Sequence, residues 1–134
     1  MDITGPHPIS QKGNQYIMTV MDLFTKYAEA FPIRKHTAPI VAEKLGEVFA
    51  RHGTPLQLLS DQGPEFESTL IAELCKAYDV QKLRTSPYHP QTNGAIERFH
   101  RTLNQMLGKV VSDSQRDWDV RLKGGMAAYR ATRH

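Results

Sequence analysis

The spacing of apolar residues changes period several times along the chain, and each change marks a predicted element. Residues 15–22 (QYIMTVMD) and 27–33 (YAEAFPI) are rich in β-branched and aromatic side chains, which predicts two strands. The short link 23–26 makes them a hairpin, and Pro32 marks a strand end or an edge. From Thr37 or Ala38 to Arg51 the period becomes helical, with Val41, Leu45, Val48 and Phe49 on one face. Thr37 can cap that helix, Pro39 falls in its first turn and Gly53 stops it. Residues 56–59 form a short apolar strand that delivers Asp61 at its C-terminal end. Gly63-Pro64 then turns the chain into a helix over about 67–78, with Leu70, Leu74 and Cys75 inward. Residues 80–84 read as a strand. Residues 85–93 hold Pro87, Pro90 and the Asn93-Gly94 pair, and predict a mobile loop. A helix follows over 94–111, with a stripe of Ile96, Phe99, Leu103, Met106, Leu107 and Val110. A last helix over about 117–132 carries Trp118, Leu122, Met126 and Tyr129, with Gly124-Gly125 as a weak point. At the other end, Asp2-Ile3-Thr4 is the tail of a strand ended by Gly5-Pro6, and 7–14 is a loop.

The resulting order is β-β-β-α-β-α-β-α-α. A hairpin followed by alternating strands and helices implies an α/β fold, a mixed sheet with helices packed against it. Functional sites in such sheets gather at strand ends and the adjoining loops. Asp2 and Asp61 fall at strand ends, and Glu97 falls in the first turn of the predicted helix over 94–111. The three acids can therefore meet.

Composition narrows the class. The 134 residues suit one domain with one modest core, and 40% apolar with 23% charged residues is a globular balance. One cysteine, Cys75, excludes an intrachain disulfide, and the six histidines show no zinc-ligand spacing. No apolar run is long enough to span a membrane, and Met1-Asp2 followed by Gly-Pro is not a signal peptide. A soluble intracellular protein is expected. Charge is uneven: residues 1–80 carry 7 Lys/Arg against 10 Asp/Glu, whereas 81–134 carry 10 against 4. An acidic half beside a basic half suits a nucleic-acid substrate, and equally suits an unevenly solvated surface.

Three carboxylates brought together repel one another and resist joint ionisation unless cations lie between them. Phosphodiester chemistry offers a reason for such a cluster, because two divalent ions can stabilise both the attacking and the leaving oxygen. Each acid also has an ordinary reading. Asp61 is a good turn former before Gln-Gly-Pro. Glu97 suits a helix N-terminus and has Arg101 at i+4 for an ion pair. Asp2 can be a plain terminal acid. Asn93 can cap the helix or touch a base or phosphate. Tyr88 and His89 on the loop, beside Arg98, Arg101 and Lys109 on the helix, can engage a single-stranded end or simply face water.

Longer stretches carry a resemblance. DITGP, GNQYIMTVMDLFTKYAEAFP, RHGTP, SDQGPEFES, SPYHPQTNGAIERFHRTL and MAAYRATRH, in that order, resemble the catalytic core of retroelement integrases, in particular the gypsy type of long-terminal-repeat retrotransposon. The resemblance implies an RNase H-like fold with a mixed five-stranded sheet, an antiparallel hairpin and flanking helices. It implies a D,D-35-E triad of Asp2, Asp61 and Glu97, and the 35 residues between the last two match. These acids would hold two Mg²⁺ or Mn²⁺ ions and support trimming of the element's DNA end followed by strand transfer into target DNA. Asn93 and Tyr88 fall where such cores meet the element's DNA end, and Arg98 and Arg101 match basic positions on the DNA-facing helix. A homo-oligomer acting on DNA in the nucleus is implied, with no membrane and no small-molecule cofactor.

The pattern also departs from the family. Against the family pattern, residues 1–134 are expected to be a catalytic core shortened at both ends, and LKGGM stands where a Leu-Pro step is usual. Two other readings follow: a non-catalytic nucleic-acid-binding or assembly remnant of a domesticated or decayed element, and an RNase H-like nuclease that cleaves without joining. The YHPQTNG loop argues against the last.

Overall fold

The computed structural model describes the backbone of residues 1–85, 90–113 and 115–131, and their side chains except at 90–97, 99 and 113. Strand β1 (Asp2–Thr4) pairs antiparallel with β2 (Tyr16–Met21), which pairs antiparallel with β3 (Ala28–Ile33). Helix α1 (Ala38–His52) leads to β4 (Gln57–Ser60), and α2 (Thr69–Ala77) leads to β5 (Gln81–Arg84), which lies parallel to β4. Helices α3 (Pro90–Asp113) and α4 (Trp118–Ala131) close the described chain.

Strand β2 shows why this becomes a layered fold. Its residues Ile17, Met18 and Thr19 are all buried, so both faces of the strand are covered. Ile17 joins Leu103, Leu107, Trp118, Leu122 and Met126 in a core under α3 and α4. Met18 joins Val41, Leu45, Leu58, Ile71 and Cys75 in a second core under α1 and α2. Alternation along one strand thus assigns one helix pair to each side.

The strands are divided between a three-stranded and a two-stranded sheet, where the sequence predicts one sheet of five. The seam runs between β1 and β4. The Met1 amine donates to the Leu59 carbonyl at 2.8 Å across it, and Met1 and Ile3 pack against the core that contains Leu58. One such bond does not make a ladder, so the two sheets share a core without a continuous hydrogen-bonded register.

Local chemistry sets the helix ends. Pro39 sits in the first turn of α1, where its missing N–H costs nothing, and Gly53 ends the helix at φ 80° with its N–H on the Phe49 carbonyl. Ser68 caps α2 by accepting the Ile71 N–H at 3.3 Å. That start turns Ile71 inward and leaves Leu70 44% exposed, although sequence spacing places Leu70 in the core. Helix α3 begins at Pro90, four residues before the predicted Gly94. Proline at the first helical position explains the earlier start. Asn93 therefore lies inside the helix and does not cap it, and Glu97 lies beyond the first turn.

Helix α4 is latched to the loop between β1 and β2. Trp118 Nε1 donates to the Pro8 carbonyl at 2.7 Å, and the Gln11 N–H donates to the Arg116 carbonyl at 2.8 Å. Buried Asp119 accepts from Ser10 Oγ at 2.6 Å and from Asn14 Nδ2 at 2.8 Å. Helix α4 also runs unbroken through Gly124-Gly125. A Cβ at Gly125 would sit 3.1 Å from Met106 Sδ and 3.2 Å from Val110 Cγ2, so the missing side chain lets α4 approach α3 closely.

Candidate active site

Asp2 opens β1 directly opposite Thr19 of β2, and Asp61 is the first residue past β4. Neighbouring strand ends thus deliver two carboxylates that the sequence separates widely. Both line one open groove, together with Ser60, Thr85 and His100. Asp61 is held by its own backbone: Oδ1 accepts the Gly63 N–H at 2.9 Å in the tight turn that follows. Its ordinary role as a turn former and a place in the groove are therefore compatible. Gly63 keeps that turn tight, since an added Cβ would lie 3.1 Å from Asp61 Oδ1. Buried Ser60 donates Oγ–H to the Asp61 carbonyl at 2.9 Å, which fixes the strand-to-turn junction.

Helix α3 meets this site at His100, whose Nε2 lies 3.7 Å from Asp2 Oδ2. The sequence reading missed His100. The signal was present, because His100 lies one turn after Glu97 on the same helix and such residues share a face. The backbone of Glu97 and Asn93 belongs to α3, but their side chains lie outside the described ones. Tyr88 lies outside the described residues. Arg98 and Arg101 are exposed on α3, free of the core.

The two described acids offer hard oxygen donors of the kind Mg²⁺ and Mn²⁺ prefer. Among the described residues no group of three His, Cys, Asp or Glu side chains converges as a metal site. The third acid, Glu97, was expected to complete one. Two carboxylates on one groove, with a helix carrying Glu97 packed against it, fit a divalent ion in donor chemistry.

A three-layer α/β architecture with acids at adjacent strand ends defines a class of RNase H-like cores. A family model described as "Integrase core domain" matches residues 1–90. The chain belongs to that family. It is 35% identical over 133 residues to the Retrovirus-related Pol polyprotein from transposon 412 of Drosophila melanogaster, covering 98% of this chain and 11% of that polyprotein. It is 36% identical over 121 residues to the Pol polyprotein of Radiation murine leukemia virus, covering 89% of this chain and 20% of the relative. The chain thus spans a small part of the curated relatives it matches. In three dimensions it is similar to the catalytic core domain of BIV integrase, with a TM-score of 0.78 and 29% identity over 98% of this chain and 83% of that one. The resemblance seen in the sequence motifs is therefore a family membership.

Proposed function

We propose that this chain is the catalytic core of a retroelement integrase that trims the element's DNA end and joins it to target DNA. The observation that carries this reading is the convergence of Asp2 and Asp61 on one groove, with α3 reaching Asp2 through His100. Asp2, Asp61 and Glu97 would hold two Mg²⁺ or Mn²⁺ ions. When bound, such ions activate the attacking oxygen and stabilise the leaving one. The chain's own residues supply placement. The Gly63 N–H aims Asp61, the pairing of β1 with β2 fixes Asp2, and His100 supports the Asp2 side chain from α3. Arg98 and Arg101 would meet DNA phosphates, and Tyr88 and Asn93 the element's DNA end. Family membership and the likeness to BIV integrase support a DNA substrate. A homo-oligomer working in the nucleus belongs to the same proposal.

A labelled element-end duplex incubated with target DNA and Mg²⁺ or Mn²⁺ tests the reading. The wild-type chain should give shortened and joined products. Asp61→Asn should lower both by about a hundred- to a thousandfold, comparable to losing an essential charge-stabilising group, while DNA binding persists. Equal activity in the variant rules out the metal mechanism. Shortened products without joining indicate a nuclease, and DNA binding without either product indicates a remnant.

A further inference from the structure

The end of the fold beyond Thr4 differs in charge from the acidic site. Two segments meet there, the loop between β1 and β2 and the turn between β3 and α1, and the Gln15 N–H joins them by donating to the Ile33 carbonyl at 3.1 Å. Neither carries an acid: residues 5–16 and 30–42 contain no Asp or Glu. They carry Lys12, Arg34 and Lys35, all exposed. Exposed Arg116 joins this group, because the Gln11 N–H donates to its carbonyl at 2.8 Å. A Cβ at Gly13 would lie 3.7 Å from Arg34 Cζ, so that guanidinium lies along the loop beside Lys12. Among the described residues none of these four cations is in an ion pair. The acids that follow Arg116 are engaged elsewhere, Asp117 by Arg121 at 3.1 Å and buried Asp119 by Ser10 and Asn14.

The loop is a fixed support. The Ser10 N–H donates to the Asn14 carbonyl at 3.0 Å, the Gly13 N–H to the Ser10 carbonyl at 2.9 Å, and the Asn14 N–H to Ser10 Oγ at 3.0 Å. These bonds close a turn with Lys12 at its tip, and buried Ser10 ties the turn to Asp119. A cation on a backbone already in place binds without the cost of ordering it.

This rim reaches the candidate active site by contact. Asp61 Oδ1 holds the Gly63 N–H, and a Cβ at Gly63 would lie 3.0 Å from Glu65 Oε1. Glu65 Oε2 lies 3.6 Å from His36 Nδ1, and His36 follows Lys35. The Tyr16 ring meets His36 edge-on at 4.8 Å. Exposed, unneutralised cations spread over adjoining segments fit a polyanion, and the phosphate backbone of duplex DNA is a line of such charge. Strand joining brings two duplexes to one site. Helix α3 and the loop before it are assigned to the element's end under Proposed function, which leaves the rim for the other duplex.

We propose that Lys12, Arg34, Lys35 and Arg116 form a phosphate-binding rim that holds the backbone of the target duplex beside Asp61. This rests on the DNA reading under Proposed function.

The test uses the full chain and a plain duplex without element sequence, with binding followed by fluorescence anisotropy over about 50–200 mM salt. Each cation that meets a phosphate contributes about 0.9 to the slope of log K against log salt. The fourfold variant Lys12→Gln, Arg34→Gln, Lys35→Gln, Arg116→Gln should therefore have a slope shallower by about 2–4 and bind at least about tenfold more weakly at about 0.1 M salt. Arg34→Gln alone should lower the slope by about one. Lys76→Gln, an equal charge change in the last turn of α2, should leave it unchanged. In the joining assay the fourfold variant should join about tenfold less at that salt, while trimming of the element's end stays at the wild-type rate. All four side chains are exposed, which keeps folding out of the comparison, and circular dichroism checks this. Equal slopes for wild type and the fourfold variant overturn this proposal alone. So does an equal loss of trimming and joining, because the rim then holds the element's end. So does a slope that changes as much with Lys76→Gln as with Arg34→Gln, because net charge then accounts for it. A wild-type chain that binds no duplex, or binds it and neither trims nor joins, overturns the reading under Proposed function together with this one.

Discussion

Asp119 is 7% exposed, and burial alone would raise its pKa. Hydrogen bonds from Ser10, Asn14 and the Val120 N–H outweigh burial and hold the carboxyl below the usual range. A depressed folded-state pKa stabilises the fold at pH values above the unfolded value, near 4, and that contribution is lost as pH falls through the folded value. Asp119→Ala leaves Ser10 Oγ and Asn14 Nδ2 facing a buried gap. It should cost about 2–3 kcal/mol at pH 7, as for a lost hydrogen bond to a charged group plus unsatisfied donors. Urea unfolding across pH 3–7 checks both size and sign: the gap between wild type and variant should narrow toward pH 3. The acids at the candidate site were legible in a different way. Asp2 and Asp61 could be named because DITGP and SDQGPEFES resemble integrase motifs, strand ends alone leaving their ordinary readings open, and both line one groove. The Asp119 latch could not, since Ser10 and Asn14 lie more than a hundred residues from their partner. His100 could be placed on the face of Glu97, but its approach to Asp2 depends on how α3 packs against β1.

Elements were legible where one periodicity ruled. Strands β2 and β3 and helix α1 follow their apolar spacing closely, and Val41, Leu45 and Phe49 are buried as the helical face requires. Boundaries failed where local chemistry competed with the pattern. Pro90, Asn93 and Gly94 look like loop residues, yet they belong to a 24-residue helix anchored further along by Leu103, Leu107 and Val111. Tertiary packing there offsets glycine's poor helix propensity. The Gly124-Gly125 pair separates propensity from packing. Nothing lies within 4 Å of a Cβ at Gly124, whereas one at Gly125 meets Met106 and Val110. Gly124→Ala should therefore stabilise the chain by up to about 1 kcal/mol, the helix-propensity difference. Gly125→Leu should destabilise it by about 1–3 kcal/mol through overpacking. Thermal melts of the two variants should move in opposite directions, and equal shifts would show that α4 does not press on α3 at that point.

Across the whole molecule, two sheets share cores but meet at a seam where acids collect. Asp2 and Asp61 face one groove from either side of that seam. Like charges held together by a fold cost stability until a cation joins them. A ligand that binds only the folded state then stabilises it by RT ln(1 + [L]/Kd), about 2.7 kcal/mol at a hundredfold excess over Kd. For a chain of this length that is a rise of roughly 5–15 °C in the melting midpoint. Mg²⁺ or Mn²⁺ should therefore raise the midpoint of the wild type in a saturable way, with no DNA present. Asp61→Asn removes one of the two charges, so without divalent ions it should melt at or above the wild-type temperature. With saturating ions it should gain far less. The opposite pattern, with the variant weaker in chelator and equally responsive to metal, would mean that Asp61 serves its turn with Gly63 and not a cation. This measurement needs no turnover, so it separates the pocket's electrostatics from every later step of the chemistry.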